Sequence, residues 1–599
     1  MRSLSHLNKY FWRYKTRFFL GILFVTVSNF YAIIPPKVVR ITFDLLQEVS
    51  VLSPHFVDTP FGGFFEEWIV GVWFFFGFII VVTAIFKGIF MFLMRQTIVI
   101  MSRLIEYDLK NEIYDHYQKL SLSFFKRNNT GDLMARITED VSKVRMYLGP
   151  AVLYAINLAV LFALVIYNMI QVSPTLTAYV LIPLPILSFT IYHVSRMINI
   201  RSEKVQRQLS ALSTFVQEGF SGIRVLKAYA KEDLWGDSFD KETEKYKETS
   251  LELVRINALF FPTMLILIGL STILTVYIGG KQAMAGNITT GNIAEFIIYI
   301  NMLTWPVAAI GWITSIIQRA AASQTRINEF LSTEPEIVNT VEEPSAIGGN
   351  ITFEHVEFVY PDSGTKALHD VSFDVKEGES LAILGRTGSG KSTIASLITR
   401  TYDVTNGAVK IDGKRIQDLN LTSVRSNIGY VPQDVFLFSE SIARNIAFGD
   451  AQEVITDEQI RLAAKQADIY DNIIEFPKGF DTHIGERGIT LSGGQKQRIS
   501  IARAIIRDPQ ILIFDDCLSA VDTETEEKIL GHLKDLMHGK TTVIISHRVS
   551  SVKHADQIIV LDDGRIIERG KHQELLDLNG AYAELYQKQL LEEDQRKTA

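Results

Sequence analysis

The segment Leu381–Thr393 reads LAILGRTGSGKST, and the run STIASLITR overlaps its end. This pattern predicts a buried strand, a glycine loop whose backbone N–H groups wrap phosphate oxygens, and a helix. Lys391 can reach the β- and γ-phosphates of a nucleotide, and Ser392 can offer its hydroxyl to Mg²⁺. The segment therefore predicts a nucleoside triphosphate site with Mg²⁺ as its cofactor.

The chain around this segment has the pattern of an α/β domain. From Ile351 onward, short β-rich runs alternate with helical patterns, which predicts a largely parallel sheet flanked by helices. A second string, ILIFDD, contains four apolar residues and reaches Asp515. We expect a strand whose carboxylate emerges beside the phosphate loop and holds Mg²⁺ through water.

The first half of the chain has a different composition, because it carries six long apolar stretches. A bilayer core needs roughly 20 apolar residues per helix, and each stretch meets or approaches that length. They are Phe18–Val38, Trp68–Met94, Ala151–Ile170, Leu176–Val194, Leu259–Tyr277 and Ile293–Ile317. No small-residue cleavage site follows the first stretch, so we expect it to be a retained span. The sequence predicts an all-α transmembrane domain of six helices.

The flanks of the first span indicate its orientation. Basic residues precede it and acidic residues follow it, so the N-terminus and the C-terminal half are predicted to be cytoplasmic. The long charged intervals after spans two and four indicate helices that extend into the cytoplasm. We expect coupling loops near residues 115–140 and 212–235, although ordinary amphipathic loop helices remain an alternative. Lys87 and Glu295 are ionisable residues within spans. Each could line a cavity, or could lie at the end of its span and reach water.

Composition sets the domain limits and excludes several classes of protein. We predict a transmembrane domain over 1–330, a linker over 331–349, a nucleotide-binding domain over 350–585 and a charged tail over 586–599 that is disordered after Leu590. The net charge of -7 over 599 residues argues against nucleic acid as a partner. Cys517 is the single cysteine, which excludes an internal disulfide and four-cysteine metal sites.

A third string, LSGGQKQRISIARA at Leu491–Ala504, resembles the signature of the ATP-binding-cassette (ABC) family. A glycine turn before a helix N-terminus is a suitable anion site. The resemblance implies that this site serves the ATP held by a second cassette, through Leu491, Ser492, Gly493, Gly494 and Gln495. Six spans followed by one cassette is similar to bacterial multidrug and lipid exporters of the lipid A flippase group.

The same resemblance implies roles for further residues. Tyr360 matches the aromatic that stacks on adenine, and His547 matches the histidine that contacts the γ-phosphate. Glu486 matches the segment that touches the cytoplasmic loops, and Asp522 matches a loop across the dimer interface. The implied ATP-binding set is Tyr360, Gly385, Arg386, Thr387, Gly388, Ser389, Gly390, Lys391, Ser392 and Thr393. The implied Mg²⁺ set is Ser392, Gln433 and Asp515, and the implied catalytic set is Asp516, His547 and Gln433.

One residue departs from the family pattern. After the Mg²⁺-holding aspartate the family usually has a glutamate that polarises the attacking water, whereas this chain has Asp516. Its carboxylate is withdrawn by about 1 Å, a misplacement that can slow a reaction by about a hundredfold. A small backbone shift that restores the geometry is the alternative. An intact signature beside a slow site favours a heterodimer with an unseen second half-transporter, with a homodimer left open.

The function implied by these features is ATP-driven export or flipping by alternating access in the cell (inner) membrane. The expected partners are membrane lipid and an amphipathic small-molecule or lipid substrate. An ATP-gated channel, or a regulatory subunit of such a complex, is the alternative because it would share these motifs. The fused spans exclude a soluble cassette protein and argue against an importer, whose cassettes are normally separate chains. A peptide-processing exporter would need a cysteine protease domain, and the one cysteine lies in the cassette.

Overall fold

The computed structural model describes residues 2–56, 60, 62–449, 455–485, 491–517, 531 and 537–598. The chain divides into two compact units. The first comprises Met1–Tyr117 and Gly131–Thr333, and the second comprises Gln118–Thr130 and Glu334–Ala599. The second unit is therefore discontinuous in sequence, because it includes part of the first predicted cytoplasmic loop.

Long helices dominate the first 331 residues. In order they are α1 (Asn8–Arg13), α2 (Lys15–Phe56), α3 (Gly62–Lys119), α4 (Leu122–Arg127), α5 (Thr130–Ala135), α6 (Val141–Met146), α7 (Val152–Val172), α8 (Pro174–Leu181), α9 (Pro183–Ser221), α10 (Ile223–Ala228), α11 (Glu232–Met284) and α12 (Thr290–Leu331). Single π-helical turns, Arg136–Asp140 and Tyr147–Ala151, join α5 to α6 and α6 to α7. Of these helices, α4 belongs to the second unit.

Five stretches of described helix are long and apolar enough to cross a membrane. They are Lys15–Leu52, Glu67–Lys119, Thr130–Val172, Glu232–Met284 and Thr290–Leu331, and each contains one of the predicted apolar stretches. The remaining stretch, Leu176–Val194, is divided between α8 and α9, which begins at Pro183. Proline suits the first position of a helix because its missing N–H is not needed there. A span at this stretch stays a prediction.

The two ionisable residues predicted within spans have different surroundings. Glu295 is buried and lies 3.5 Å from the Arg40 guanidinium (Oε2 to Nη1). The Tyr299 hydroxyl donates to Glu295 Oε1 at 2.9 Å, and the Asn292 amide donates to Oε2 at 3.4 Å. Lys87 is instead exposed on the surface of its unit. Glu295 therefore joins α12 to α2 as a paired internal charge.

The second unit is built around two sheets. Its strands are β1 (Ile351–Val359), β2 (Lys366–Val375), β3 (Ser380–Gly385), β4 (Asn406–Ile411), β5 (Lys414–Arg415), β6 (Ile428–Val431), β7 (Ile511–Asp515), β8 (Thr541–Ile545), β9 (Gln557–Asp562) and β10 (Arg565–Gly570). The larger sheet has the order β10-β9-β3-β8-β7-β6, and all its pairs are parallel except β10 with β9. Strands β7 and β8 are buried along their whole length, as expected for parallel strands covered on both faces. The prediction of a largely parallel sheet is confirmed for this sheet.

The smaller sheet is antiparallel and has the order β2-β1-β4-β5, an arrangement that the sequence patterns did not indicate. The helices of the second unit beyond α4 are α13 (Lys391–Ile398), α14 (Leu421–Ser426), α15 (Ile442–Ala447), α16 (Asp457–Gln466), α17 (Tyr470–Ile474), α18 (Gly493–Ile505), α19 (His572–Asp577) and α20 (Ala581–Thr598). The prediction of a disordered tail was wrong, since α20 continues to Thr598. Its Leu, Glu, Gln, Lys and Arg residues are good helix formers, and no glycine or proline interrupts them.

Candidate nucleotide-binding and hydrolysis site

The predicted site residues meet at one edge of the larger sheet. Strands β3, β8, β7 and β6 are parallel neighbours, so their carboxyl ends lie side by side. The glycine loop follows β3, Asp515 ends β7, His547 follows β8 and Gln433 follows β6. Ligands of open α/β sheets bind outside the carboxyl ends of the strands. The fold therefore gathers residues that are far apart in the sequence into one site.

The glycine loop has a backbone that only glycine tolerates at two positions. Gly388 and Gly390 have φ values of 85° and 99°, in the left-handed region. A Cβ atom on Gly390 would also lie 2.5 Å from the Ala367 carbonyl oxygen. Lys391 Nζ donates to the carbonyl oxygens of Gly385 and Arg386, each at 2.8 Å, so its ammonium lies inside the loop. A glycine loop of this kind, followed by a helix N-terminus, is typical of phosphate-binding sites.

Burial changes the acidity of the charged groups at this edge. It lowers the pKa of Lys391, and the carboxylates of Asp516 and Asp515 oppose that shift. Burial also raises the pKa of Asp515, and the neighbouring Asp516 carboxylate adds to the increase. Asp515 Oδ1 accepts a hydrogen bond from Ser392 Oγ at 2.9 Å, and Oδ2 accepts one from the Tyr430 hydroxyl at 3.5 Å. A cation bound here would relieve the repulsion between the two carboxylates.

Asp516 is held by the other two residues of the predicted catalytic set. Its Oδ1 lies 2.8 Å from His547 Nδ1, and its Oδ2 accepts a hydrogen bond from Gln433 Nε2 at 3.4 Å. Its φ of 46° is left-handed, and its backbone N–H donates to the Ile545 carbonyl at 2.8 Å. Aspartate tolerates this conformation better than most residues. Asp516, His547 and Gln433 therefore form one connected group at the mouth of the site.

A cavity of about 340 Å³ lies over this edge. It is lined by the predicted residues Tyr360, Thr387, Gly388, Gly390, Lys391, Ser392, Thr393, Gln433, Asp515, Asp516 and His547, and by the unpredicted Thr365, Lys366, Ala367, Ile545, Asp563 and Gly564. The predicted Gly385, Arg386 and Ser389 belong to the loop without lining the cavity. The Asp-Gly pair between β9 and β10 is a recognisable hairpin turn, but nothing local places it at a phosphate loop. Its Gly564 N–H donates to the Ser389 carbonyl at 3.1 Å.

Tyr360 lines the cavity, and its ring is fixed from several sides. Its hydroxyl is hydrogen-bonded to Thr393 Oγ1 at 2.9 Å. Phe358 and Tyr402 approach the ring edge-to-face, with ring centroids 4.9 Å and 5.5 Å away. A ring held in this way is a ready stacking surface for a base.

The signature residues lie apart from this cavity. Ser492 caps the N-terminus of α18: its Oγ accepts from the Gln495 N–H at 3.3 Å, and the Gln495 side chain accepts from the Ser492 N–H at 2.9 Å. Leu491 is buried in the core, whereas Ser492 and Gly493 are exposed and Gly494 is partly exposed. The predicted interface residues Glu486 and Asp522 lie outside the described residues. An exposed helix N-terminus away from the chain's own phosphate loop is suited to a nucleotide held by another molecule.

Known proteins resemble this chain along nearly its whole length. Residues 18–307 match the family described as ABC transporter transmembrane region, and residues 368–519 match the family described as ABC transporter. The probable multidrug resistance ABC transporter ATP-binding/permease protein YheI of Bacillus subtilis (strain 168) is 36% identical over 591 residues, 98% of each chain. The ATP-dependent lipid A-core flippase of Syntrophus aciditrophicus (strain SB) is 36% identical over 488 residues, 81% of this chain and 80% of that protein.

A solved structure of a bacterial Atm1-family ABC exporter with ATP bound has the same fold. Its TM-score is 0.76 at 26% identity, and the match covers 96% of this chain and 98% of that one. Both halves of the chain and their order are thus accounted for by one family. The chain belongs to the ABC exporters, multi-pass membrane proteins in which a helical transmembrane domain precedes an ATP-hydrolysing domain in one polypeptide.

Proposed function

We propose that this chain is the slowly hydrolysing half of a heterodimeric ABC exporter that moves amphipathic small molecules or lipids across the cell (inner) membrane. The observation that carries the proposal is Asp516, which stands where the family usually has a glutamate and lies in the cavity beside His547 and Gln433. ATP-driven export or flipping is the activity of the family. Our proposal adds three points to that activity: slow hydrolysis at this site, a different half-transporter as the partner, and an amphipathic or lipid substrate.

The chain's own residues divide the work of hydrolysis among them. Lys391 and the glycine loop bind the phosphates, and Tyr360 binds the adenine. Asp516 orients the attacking water and accepts its proton, while His547 fixes the Asp516 carboxylate through Nδ1. Since an aspartate carboxylate is one methylene shorter than that of a glutamate, it stops about 1 Å short of the water, a distance that can cost about a hundredfold in rate.

The residues at the edge of the sheet fit a Mg²⁺ ion. Mg²⁺ prefers oxygen ligands, and the Ser392 hydroxyl and an Asp515 carboxylate oxygen lie 2.9 Å apart within the cavity lining. We assign Ser392 and Gln433 as its ligands, with Asp515 holding it through water. When bound, Mg²⁺ neutralises phosphate charge.

A second half-transporter is required because the signature of one cassette serves the ATP held by another. ABC exporters act as dimers of half-transporters, and this chain carries one phosphate loop and one signature. The second predicted cytoplasmic loop exposes large apolar side chains that suit a protein partner: Phe220 is 75% exposed, Tyr229 73% and Val225 61%. An intact signature beside the altered Asp516 favours a partner with a glutamate at its own site, so that one of the two sites hydrolyses quickly.

The substrate class rests on the relatives and on the character of the spans. One relative is named as a multidrug transporter and another as a lipid A-core flippase. The helices of the first unit expose many large apolar side chains, among them Phe74, Phe78 and Trp305. Apolar surfaces of this kind suit substrates with large hydrophobic groups. The basic residues before the first span support a cytoplasmic N-terminus.

A transport measurement tests this function. The chain is co-expressed with the partner that co-purifies with it, and the complex is placed in proteoliposomes. Either the proteoliposomes contain a fluorescent phospholipid, or a membrane-permeant cationic dye is added outside them. ATP should drive lipid flipping or dye accumulation, and a Lys391→Ala variant of this chain should reduce it. An ATP-gated current without uphill accumulation would instead support the channel alternative.

A further inference from the structure

The Tyr360 ring has a cationic neighbour that does not belong to the nucleotide cavity. Lys126 Nζ lies 5.1 Å from the ring centroid of Tyr360 and 5.6 Å from that of Tyr402. The two rings are 5.5 Å apart and nearly perpendicular, at 88°. The ammonium therefore sits in the angle between them, within cation–π range of both. Tyr360 lines the cavity, whereas Lys126 and Tyr402 are not among its lining residues.

Lys126 is brought to this position by the docking of α4 within the second unit. Ser123 is buried, and its hydroxyl donates to Glu336. Arg127 forms an ion pair with the same carboxylate, 3.2 Å from Nη2 to Oε1. The Ser121 hydroxyl accepts from the Ile337 N–H at 2.9 Å. These contacts fix the loop on the segment that leads into the nucleotide-binding sheet, so the placement of the ammonium does not depend on Lys126 alone.

The ammonium remains charged at physiological pH. Burial by itself lowers the pKa of Lys126, but Tyr402, Tyr360 and Asp362 together raise it above its ordinary value. A cation over an aromatic face is attracted by the electron-rich ring, and the attraction is worth about 0.5–1 kcal/mol at an exposed site. That energy is available only while the ring keeps its present orientation.

We propose that Lys126 is a positioning residue of the nucleotide site: it holds the Tyr360 ring from the loop side, so that adenine stacking and loop docking stabilise each other. The inference rests on the proposed role of Tyr360 as the adenine platform. By thermodynamic reciprocity, whatever Lys126 adds to nucleotide affinity, the bound nucleotide adds to the docking of α4. The first cytoplasmic loop of this chain would thereby respond to the base of the nucleotide as well as to its phosphates.

Equilibrium binding to the full chain in lipid nanodiscs tests this inference. Two ligands are compared without turnover: ATP, which carries a base, and tripolyphosphate, which does not. Lys126→Met keeps most of the length of the side chain and removes its charge, and we expect it to weaken ATP binding about two- to five-fold and to leave tripolyphosphate binding unchanged. Lys126→Arg should bind ATP like the native chain, because guanidinium also packs on aromatic rings. Lys414→Met is the matched control, since it removes an exposed positive charge elsewhere in the same unit and should change the binding of neither ligand.

The outcomes separate the inference from the function on which it rests. If Tyr360→Ala leaves ATP affinity unchanged, the adenine assignment itself fails. If Tyr360→Ala weakens ATP and Lys126→Met does not, the role of Lys126 alone is refuted. Equal weakening of ATP and tripolyphosphate, or a loss with Lys126→Arg as large as that with Lys126→Met, would also overturn it. A double variant that loses no more than Tyr360→Ala alone would support the coupling.

Discussion

Replacing Asp516 with glutamate should accelerate ATP hydrolysis at this chain's phosphate loop. Asp516 Oδ1 is already 2.8 Å from His547 Nδ1, so a longer side chain cannot extend along that line. We therefore expect its carboxylate to turn into the cavity that Lys391 and Ser392 line, where the attacking water would bind. The gain of about 1 Å corresponds to about a hundredfold in rate, or about 2.7 kcal/mol of barrier.

The assay is the initial ATPase rate of the purified full chain in lipid nanodiscs at saturating ATP and Mg²⁺. Asp516→Asn, which keeps the size of the side chain and removes its charge, gives the rate without a base. Lys391→Ala gives the background. We expect the native rate to lie above that of Asp516→Asn, and the rate of Asp516→Glu to lie about a hundredfold above the native rate. A native rate of about 1 per second or more, increased less than about threefold by Asp516→Glu, would refute the slow site and favour a homodimer.

Three further changes test other parts of the structure. Gly390→Ala should abolish ATP binding, because its Cβ would lie 2.5 Å from a neighbouring carbonyl oxygen at a φ of 99°; equilibrium binding measures this. Glu295→Ala should destabilise the full chain by on the order of 2 kcal/mol, since it leaves Arg40 without its ion-pair partner; thermal unfolding in detergent measures this. Asp556→Asn should cost about 1 kcal/mol at neutral pH, because Asp556 accepts from the Ser380 N–H at 2.9 Å and from its hydroxyl at 2.7 Å.

The Asp556 effect has a predictable dependence on pH. Desolvation raises its pKa, but the hydrogen bonds from Ser380 and the charge of Lys571 outweigh it and hold the pKa below its usual range. A depressed pKa contributes stability above the ordinary value of about 4, and this contribution is lost as the pH falls through the lower folded value. The difference between Asp556→Asn and the native chain should therefore shrink in acid, and a constant difference would contradict the assignment.

Each of these variants has a control of the same chemistry. Asp418→Asn and Glu48→Ala alter exposed carboxylates and should leave thermal unfolding unchanged. Gly77→Ala adds a Cβ with no atom within 4 Å and should leave ATP binding unchanged. A control as damaging as its partner variant would show that the site-specific explanation is wrong.

The sequence was most informative where chemistry depends on neighbours in the chain. The strand before the glycine loop, the strand that ends at Asp515 and the helix capped by Ser492 are local patterns, and the structure has all three. The contact between Asp516 and His547 joins the ends of two strands, and no local pattern specifies it. Lys126 reaches Tyr360 across more than two hundred intervening residues, so its position depends on how the loop docks.

Other features were missed for different physical reasons. The tail was expected to be disordered because it is charged, but its residues are strong helix formers. The antiparallel sheet contains β1 and β2, which are paired with shifts in register. These shifts interrupt the alternation of buried and exposed residues, so the period-two pattern that marks a strand is weak there. The fourth apolar stretch reads as one segment, yet Pro183, near its centre, begins a new helix.

The discontinuous second unit has a consequence for genetic exchange between exporters. A chimaera that receives this ATPase from Glu334 onward, but keeps the first loop of another exporter, would retain Glu336 while replacing both Ser123 and Arg127. The inherited module therefore has two pieces, of which the shorter lies more than two hundred residues upstream of the longer. Recombination that moves only the longer piece would yield mismatched hybrids, whereas transplanting residues 118–130 with it would keep the two pieces compatible.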